Sequence, residues 1–257
     1  MSKDSEISYG NTLTESKIQR DQKFSVVVAN PPHGISWTGY SKEINKDETE
    51  RFVRLPSTSD GQLLFAQHIL HHLHDEGIAV VVHNGSALFS GDAGSGESDI
   101  RKHFFDNDWV EAIVQLPTSE FFNTGIHTYI WLFNKNKPKA RQNKVMLIDG
   151  SELFVPLKKS FGSKRREIDE ANRQRIVKVL ADFEDLSAEQ AGNDFAKIFD
   201  KDYFYFNKQA IQLTNLDENS QSFEEHLPTK TDRKTGEVKR AKSLVLKDLN
   251  AITFEDK

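Results

Sequence analysis

The chain has 257 residues, of which 37% are hydrophobic and 28% charged, and it carries a formal net charge of -5. That length holds one large domain, or one domain with an appendage, and the acidic balance gives no global reason to bind nucleic acid, so any such contact must come from local patches. There is no cysteine, which excludes disulfides and cysteine-ligated zinc.

Residues 1–23 are polar, lack the apolar core of a signal peptide, and read as a turn at Tyr9-Gly10-Asn11-Thr12. Phe24–Ala29 reads as a strand, and its continuous apolar run implies burial on both faces. It stops at Asn30-Pro31-Pro32-His33, and residues 30–60 follow as a long polar loop containing Trp37 and Tyr40. Ser57-Thr58-Ser59-Asp60 offers caps for a helix whose apolar face is Leu63, Ala66, Ile69, Leu70 and Leu73, with Gly77 placed to end it. His68 and His72 stand at i, i+4, a spacing that can hold a metal, but they lie opposite the apolar stripe with no carboxylate pair nearby. A solvated face and no metal are expected there.

Ile78–Val82 is a second buried-type strand, running into His83-Asn84-Gly85, and a Gly/Ser-rich loop (Ser90–Ser98) precedes a helix over Asp99–Phe105. Val110–Val114 and Thr128–Phe133 are strands too close for a crossover helix, so they pair antiparallel. Val145–Ile148 adds a short strand, and Ile168, Ala171, Ile176, Val179, Leu180 and Phe183 mark a long amphipathic helix. Lys158-Lys159 and Lys164-Arg165-Arg166 form a basic cluster at the start of that helix, where positive charge opposes the helix dipole. Lys197–Leu213 is aromatic and hairpin-like, Thr229–Lys242 reads as unstructured, and Ser243–Leu249 as a short strand. No apolar stretch nears the roughly 20 residues that cross a bilayer, so no membrane partner and a cytoplasmic location are expected. Strands alternating with helices argue for an α/β fold on a largely parallel sheet.

The informative position is the end of the first strand, because ligands of open α/β sheets bind at the carboxyl ends of strands. Asn-Pro-Pro alone is also ordinary turn chemistry. The functional alternative is methylation of an amino group. The exocyclic amine of adenine is conjugated with its ring and is a poor nucleophile. Acceptors on both of its hydrogens, from the Asn30 side chain and the Pro31 carbonyl, draw it toward tetrahedral geometry and free its lone pair. That is positioning plus electrostatic stabilisation, without a general base. A base leaving its duplex also needs a flat side chain to stack on.

The surrounding blocks decide between these readings. Phe24-Ser25-Val26-Val27-Val28-Ala29-Asn30-Pro31-Pro32 resembles the catalytic strand and loop of N6-adenine DNA methyltransferases. Leu63–Gly77, Ile78–Phe89, Glu97-Ser98-Asp99-Ile100-Arg101 and Ile113–Phe133 resemble one branch of them, the modification subunit of type I restriction-modification systems. Leu116-Pro117-Thr118-Ser119-Glu120-Phe121-Phe122-Asn123-Thr124-Gly125-Ile126-His127-Thr128 is the most specific block, and the likeness covers roughly residues 8–213.

The resemblance implies the C-terminal part of a Rossmann-like sheet dependent on S-adenosylmethionine, mostly parallel with an antiparallel last pair. It assigns residues 1–150 to a partial catalytic domain, 151–214 to a helical and aromatic extension, and 215–257 to a charged tail. It implies methyl transfer from S-adenosylmethionine to adenine N6 in DNA. Asn30 and Pro31 would orient the amine, Pro32 would fix the loop, His33 would stack on the base, and Asn11 and Asn30 would contact the cofactor. The implied partners are DNA, a specificity subunit, a restriction subunit and a second modification subunit.

Two departures stand out. His33 occupies a position where the family carries Phe, Tyr or Trp, so Trp37 or Tyr40 are alternative stacking faces. The Gly-rich turn expected to cradle the cofactor is missing from residues 1–29. A sheet starting at the catalytic strand would expose an apolar edge. The chain is therefore expected to be a fragment starting just before its catalytic motif, either inactive alone or serving as a non-catalytic complementing or scaffolding half. An unrelated nucleotide-binding module is the remaining alternative, and it lacks a phosphate loop.

Overall fold

Phe24–Ala29 (β1) pairs in parallel with Leu73–Asn84 (β2), with Ala29 opposite Val81. The computed structural model that shows this describes residues 7–185, 196–205, 210–211, 229–231, 235–240 and 244–245. Between the two strands lie the short helix α1 (Ser41–Asn45) and the crossover helix α2 (Gln62–His71). Beyond β2 come α3 (Ser86–Phe89), α4 (Gly96–Asp106), β3 (Val110–Gln115), β4 (Thr128–Asn134) and β5 (Lys144–Asp149). The hairpin strands β6 (Val155–Phe161) and β7 (Lys164–Glu167), then α5 (Glu170–Asp182) and β8 (Ala196–Asp200), complete this part of the chain.

The main sheet has the order β1-β2-β4-β3-β5-β8. β1, β2, β3 and β5 run one way, whereas β4 and β8 run the other. The short connection between β3 and β4 does give an antiparallel ladder, from Val110 opposite Phe133 to Gln115 opposite Tyr129. β4 also inserts between β3 and β2, pairing with both. The expected hairpin over Lys197–Leu213 is not formed by β8, which pairs with β5 and is followed by a 3-10 turn at Lys201–Phe204; residues 206–209 and 212–213 lie outside the described residues.

Both faces of the sheet carry core. On one, α2 and α4 bury Ala79, Val81, Ile113, Trp131 and Phe133, with Phe104 edge-on to Phe133 at a centroid distance of 5.4 Å. On the other, Ile176 and Val179 of α5 cover Ala112, Val114, Met146 and Ile148. Large side chains removed from water in this way contribute about 1.5–3 kcal/mol each. The second cover stops short of β1 and β2. Val26 is 66% exposed and Val28 77%. The expectation of a doubly buried first strand is therefore corrected: β1 is an edge strand with one bare apolar face. An apolar run records that a face is suited to burial, not what covers it.

The helix boundaries also differ from the sequence reading. The residue that caps α2 is Gly61, which makes no side-chain cap bond, rather than one of Ser57–Asp60; Asp60 Oδ1 accepts from Gln62 N at 3.1 Å in the turn that leads into the helix. The helix ends at His71, not at Gly77. Gly77 instead lies inside β2, in the stretch where the pairing with β1 shifts register between Leu73 and Ile78, and a Cβ there would lie 2.8 Å from the Leu73 side chain. The basic cluster is not a helix start: it forms the β6–β7 hairpin, and Asp169 caps α5 by accepting from Asn172 N at 3.0 Å.

Residues 206–257 form a separate unit. In it β9 (Ala210–Ile211), β10 (Thr229–Thr231), β11 (Val238–Arg240) and β12 (Leu244–Val245) make two antiparallel pairs, β9 with β12 and β10 with β11. Part of the stretch read as unstructured is thus paired, helped by Gly236 at φ 72 in the turn. The rest of the strand expected over Ser243–Leu249 lies outside the described residues. No described helix is long and apolar enough to cross a membrane.

His68 and His72 are buried, at 4% and 5% exposure, against the expectation of a solvated face. The polar N-terminal segment folds over them: His72 Nδ1 meets Gln22 O at 2.9 Å, and His68 Nδ1 meets Arg51 Nη1 at 3.0 Å. Arg51 also donates to Asp47 Oδ2, Thr12 O (3.1 Å) and Leu13 O (2.6 Å). One guanidinium thus fastens the N-terminal turn to α2. Replacing Arg51 by Met strands Asp47 and both carbonyls, and urea unfolding should show a loss of about 3–5 kcal/mol, the usual cost of breaking a buried pair. Lys102→Met, at the exposed Lys102–Asp106 pair, should cost below about 1 kcal/mol. Equal losses would show that the Arg51 clamp is not a stabilising element.

Candidate active site

The β1–β2 register determines what stands beside Asn30. Ala29 lies opposite Val81, so continuing the ladder sets Asn30 beside Val82 and Pro31 beside His83. Asn30 and Pro32 are exposed, Pro31 is buried and His33 is half-buried. The Asn30 side chain has no hydrogen bond among the described residues, so its amide oxygen is available to a ligand. Neither proline carries an N–H to compete for nearby acceptors.

Around this exit lies a polar network. Gln62, 1% exposed, donates from Nε2 to Asp60 Oδ2 (2.7 Å) and Asn84 Oδ1 (2.8 Å), and its Oε1 accepts from Asn84 N at 3.2 Å. The Ser86 hydroxyl lies 2.6 Å from both Asp60 Oδ2 and Asn84 Oδ1 and donates to one at a time. The N-terminus of α2 is thereby tied to the carboxyl end of β2. A polar pocket of about 220 Å³ opens beside this network, lined by Ser57, Asp60, Gln62, Ser86 and Glu97 among others.

Asp60 also faces two imidazoles. Burial lowers the pKa of His33, with the Asp60 charge opposing the shift. Burial pushes His83 down to about 3, the nearby His33 adding to the shift and Asp60 again opposing it. His83 is fully buried, edge-on to Trp131 at 5.9 Å. Among the described residues, neither ring nitrogen of His83, nor Nδ1 of His33, has a hydrogen-bond partner. His33 is therefore held as a flat neutral ring at the mouth of the site.

The other stacking candidates separate. Trp37 is 3% exposed, donates to Ser57 O at 2.9 Å and packs with Leu13, Ile44 and Leu64, so it is core. Tyr40 is 48% exposed in a 3-10 turn. Asn11 sits in a turn, its Oδ1 accepting from Leu13 N at 3.0 Å. No hydrogen bond joins it to Asn30 among the described residues. The loop 116–127 lies at the same end of the sheet, its base closed by Leu116 N donating to Thr128 O at 2.8 Å, and it exposes Phe122 at 66%.

The sequence reading missed Asp60, Gln62, His83, Asn84 and Ser86 as site residues. The signal was present in the polar triplet His83-Asn84-Gly85 ending a second buried strand: parallel neighbours deliver their carboxyl ends to one place. Asp60 was legible only as a cap candidate, whereas it stands one residue before the Gly61 cap and turns its carboxylate to Gln62 and Ser86.

The family model described as N-6 DNA Methylase matches residues 1–219. The type I restriction enzyme MpnII methylase subunit of Mycoplasma pneumoniae is 35% identical over 182 residues, covering 70% of this chain and 30% of that protein. The EcoKI methylase subunit of Escherichia coli is 30% identical over 235 residues, covering 89% of this chain and 39% of that protein. Among solved structures, the methyltransferase subunit of a type I restriction-modification system from Streptococcus thermophilus superimposes with a TM-score of 0.62 at 25% identity, over 75% of this chain and 38% of that one. The chain spans about a third of the length of the curated relatives it matches.

The buried imidazoles set a pH dependence. Burial holds His68 and His83 down at about 3, whereas an unfolded histidine titrates near 6.5. Above about pH 6.5 both states are neutral and nothing is lost. Below it the unfolded chain takes up protons that the folded chain refuses, so stability falls toward acid, by about 1.4 kcal/mol per pH unit for each histidine. Urea midpoints taken at pH 7.5 and 5.0 should show this loss, and His83→Leu should make it smaller by about 2 kcal/mol. An unchanged pH slope in that variant would mean that His83 is not held neutral.

Proposed function

We propose a function from one premise: the chain belongs to the N-6 DNA methylase family. The reading is that it carries the amine-orienting part of an adenine-N6 DNA methyltransferase of a type I restriction-modification system. The observation that carries it is Asn30, exposed and unbonded at the carboxyl end of β1, followed by two prolines and a neutral His33.

The Asn30 amide oxygen and the Pro31 carbonyl each accept one hydrogen of the target amine. Two such bonds are satisfied together only as nitrogen moves from planar toward tetrahedral, so they strengthen on the way to the transition state and lower its energy. Pro32 limits the backbone freedom of the loop that presents them. His33 receives the flipped base by stacking, and as a neutral ring it brings no charge against the attacking amine.

S-adenosylmethionine, when bound, supplies the methyl group. The residues here fit a part of it: Asn11 has its Oδ1 engaged in its own turn, leaving its NH2 free to donate, and Asn30 borders the same end of β1. The proposed partners are DNA, the specificity and restriction subunits and a second modification subunit. We also assign catalysis to residues 1–150 and an extension to residues 151–214.

A second reading is favoured by the bare face and free edge of β1, where Val26 and Val28 are largely exposed. In it the chain is a complementing half that methylates nothing until another polypeptide pairs with that edge.

Both readings meet in one experiment. The purified chain is incubated with labelled S-adenosylmethionine and adenine-containing duplex DNA, alone and after co-expression with the segment that precedes the matching region in a relative. Label transferred by the chain alone supports the first reading. Label transferred only by the pair supports the second. In whichever form is active, Asn30→Ala should lower the rate by about 100–1,000-fold, the usual effect of removing one transition-state hydrogen bond. His33→Ala should lower it by roughly 5–100-fold, and His33→Phe should restore it. An Asn30→Ala form as fast as the parent removes the adenine-methylation reading.

A further inference from the structure

We propose that the β6–β7 hairpin is a phosphate-binding ribbon that holds duplex DNA beside the catalytic end of the sheet. The inference rests on the DNA reading above and adds the surface that engages the duplex backbone.

The hairpin concentrates charge that the chain as a whole lacks. Between residues 155 and 167 there are five cations, Lys158, Lys159, Lys164, Arg165 and Arg166, against the single carboxylate of Glu167, in a protein of net charge -5. These cations divide by role. Lys164 pairs with Glu120 at 3.1 Å, and Arg166 donates to Thr118 Oγ1 at 2.9 Å while its guanidinium lies 4.1 Å from the centroid of the Phe154 ring. Both are turned inward and hold the hairpin in place. Lys158, Lys159 and Arg165 are exposed and have no ion-pair partner among the described residues. A solvated surface usually intersperses both signs; here three free cations share one ribbon.

The hairpin is fixed where DNA must pass. It leaves the carboxyl end of β5, the end of the sheet at which Asn30 and Asn84 stand. Its tip docks on the 116–127 loop: Ser163 N donates to Phe122 O at 2.8 Å and Arg165 N to Ser119 O at 2.9 Å. Gly162, at φ 60, permits the contact, because a Cβ there would lie 2.6 Å from Phe122 O. Two exposed aromatics, Phe122 and Phe161, flank the docked tip. From β1 to β5 there are four strand steps, or roughly 19 Å at about 4.8 Å each. That is the length of about five or six base pairs at 3.4 Å per step. Phosphates that far from the target adenine lie within reach of the ribbon.

The test is binding of a fluorescein-labelled duplex to the whole chain, followed by anisotropy between about 25 and 200 mM salt. Each phosphate neutralised contributes about -0.9 to the slope of log affinity against log salt. The triple variant Lys158→Gln/Lys159→Gln/Arg165→Gln should bind at least tenfold more weakly at low salt, with a slope shallower by about 2–3. Lys102→Gln with Lys178→Gln, which removes two exposed charges elsewhere, should leave both quantities unchanged. An unaltered urea midpoint shows that the triple variant is folded. Parent-like affinity and slope in the triple variant would overturn the proposal, as would absence of salt-dependent DNA binding by the parent chain. Retained DNA binding with loss of an acidic protein partner would overturn it too. The two readings fail separately: methyl transfer with an unaffected triple variant removes only the ribbon. Salt-dependent DNA binding lost in the triple variant, without methyl transfer by either the chain or the co-expressed pair, removes only the adenine reading.

Discussion

The parallel ladder that sets Ala29 against Val81 is the constraint on which the rest of this structure depends. Parallel neighbours cannot be joined by a tight turn, so residues 30–72 must travel back across the sheet, and α2 makes the return. That path brings Asp60, at the start of α2, to the same end as Asn30 and Asn84. The register is held by packing. A slip of one residue would turn Val26 and Val28 under the helices and send Val27 and Ala29 to solvent, removing both from the α2–α4 core. Asn30 is thus placed by the side chains before it, while the Gln62 amide ties the returning helix to the neighbouring strand end.

Charge at the site follows from the same burial. Asp60 is the nearby carboxylate for both His33 and His83, yet desolvation outweighs its attraction and shifts both imidazoles toward the neutral form. Asp60 itself is engaged by Gln62 and Ser86, which spend its acceptor capacity within the network. The result is a flat, uncharged ring at the mouth of a site whose proposed reaction develops positive charge on a nitrogen. An imidazolium there would oppose that charge.

Much of the architecture was legible because it is local. The apolar runs at 24–29, 78–82, 110–114 and 128–133 gave the strands, and the short link between the last two gave their antiparallel pairing. What was not legible depends on distant neighbours. The bare face of β1 is not legible in its sequence because an apolar run does not record which helices reach it. The burial of His68 and His72 is not legible from the helical stripe alone, because it comes from the N-terminal segment that Arg51 draws over them. The basic hairpin was read as a helix start because its strands owe their order to Ser119, Glu120 and Phe122, some forty residues earlier. At the site, Asn30 and His33 announced themselves through an unusual motif. Gln62, Asn84 and Ser86 are ordinary residues that become informative only once the strand ends are known to meet.

The edge position of β1 links assembly to chemistry. Among the described residues β1 is paired on one side alone, which leaves its outer N–H and C=O groups without a neighbouring strand, the arrangement that invites another strand. The same strand positions Asn30, and its second face carries Val26 and Val28 without cover. A polypeptide that pairs with this edge and buries that face would stiffen the segment that presents the amide, even without touching the amide itself. Occupation of the edge and the proposed orientation of a target amine are therefore coupled through the backbone of one strand, which runs from the paired edge directly into Asn30.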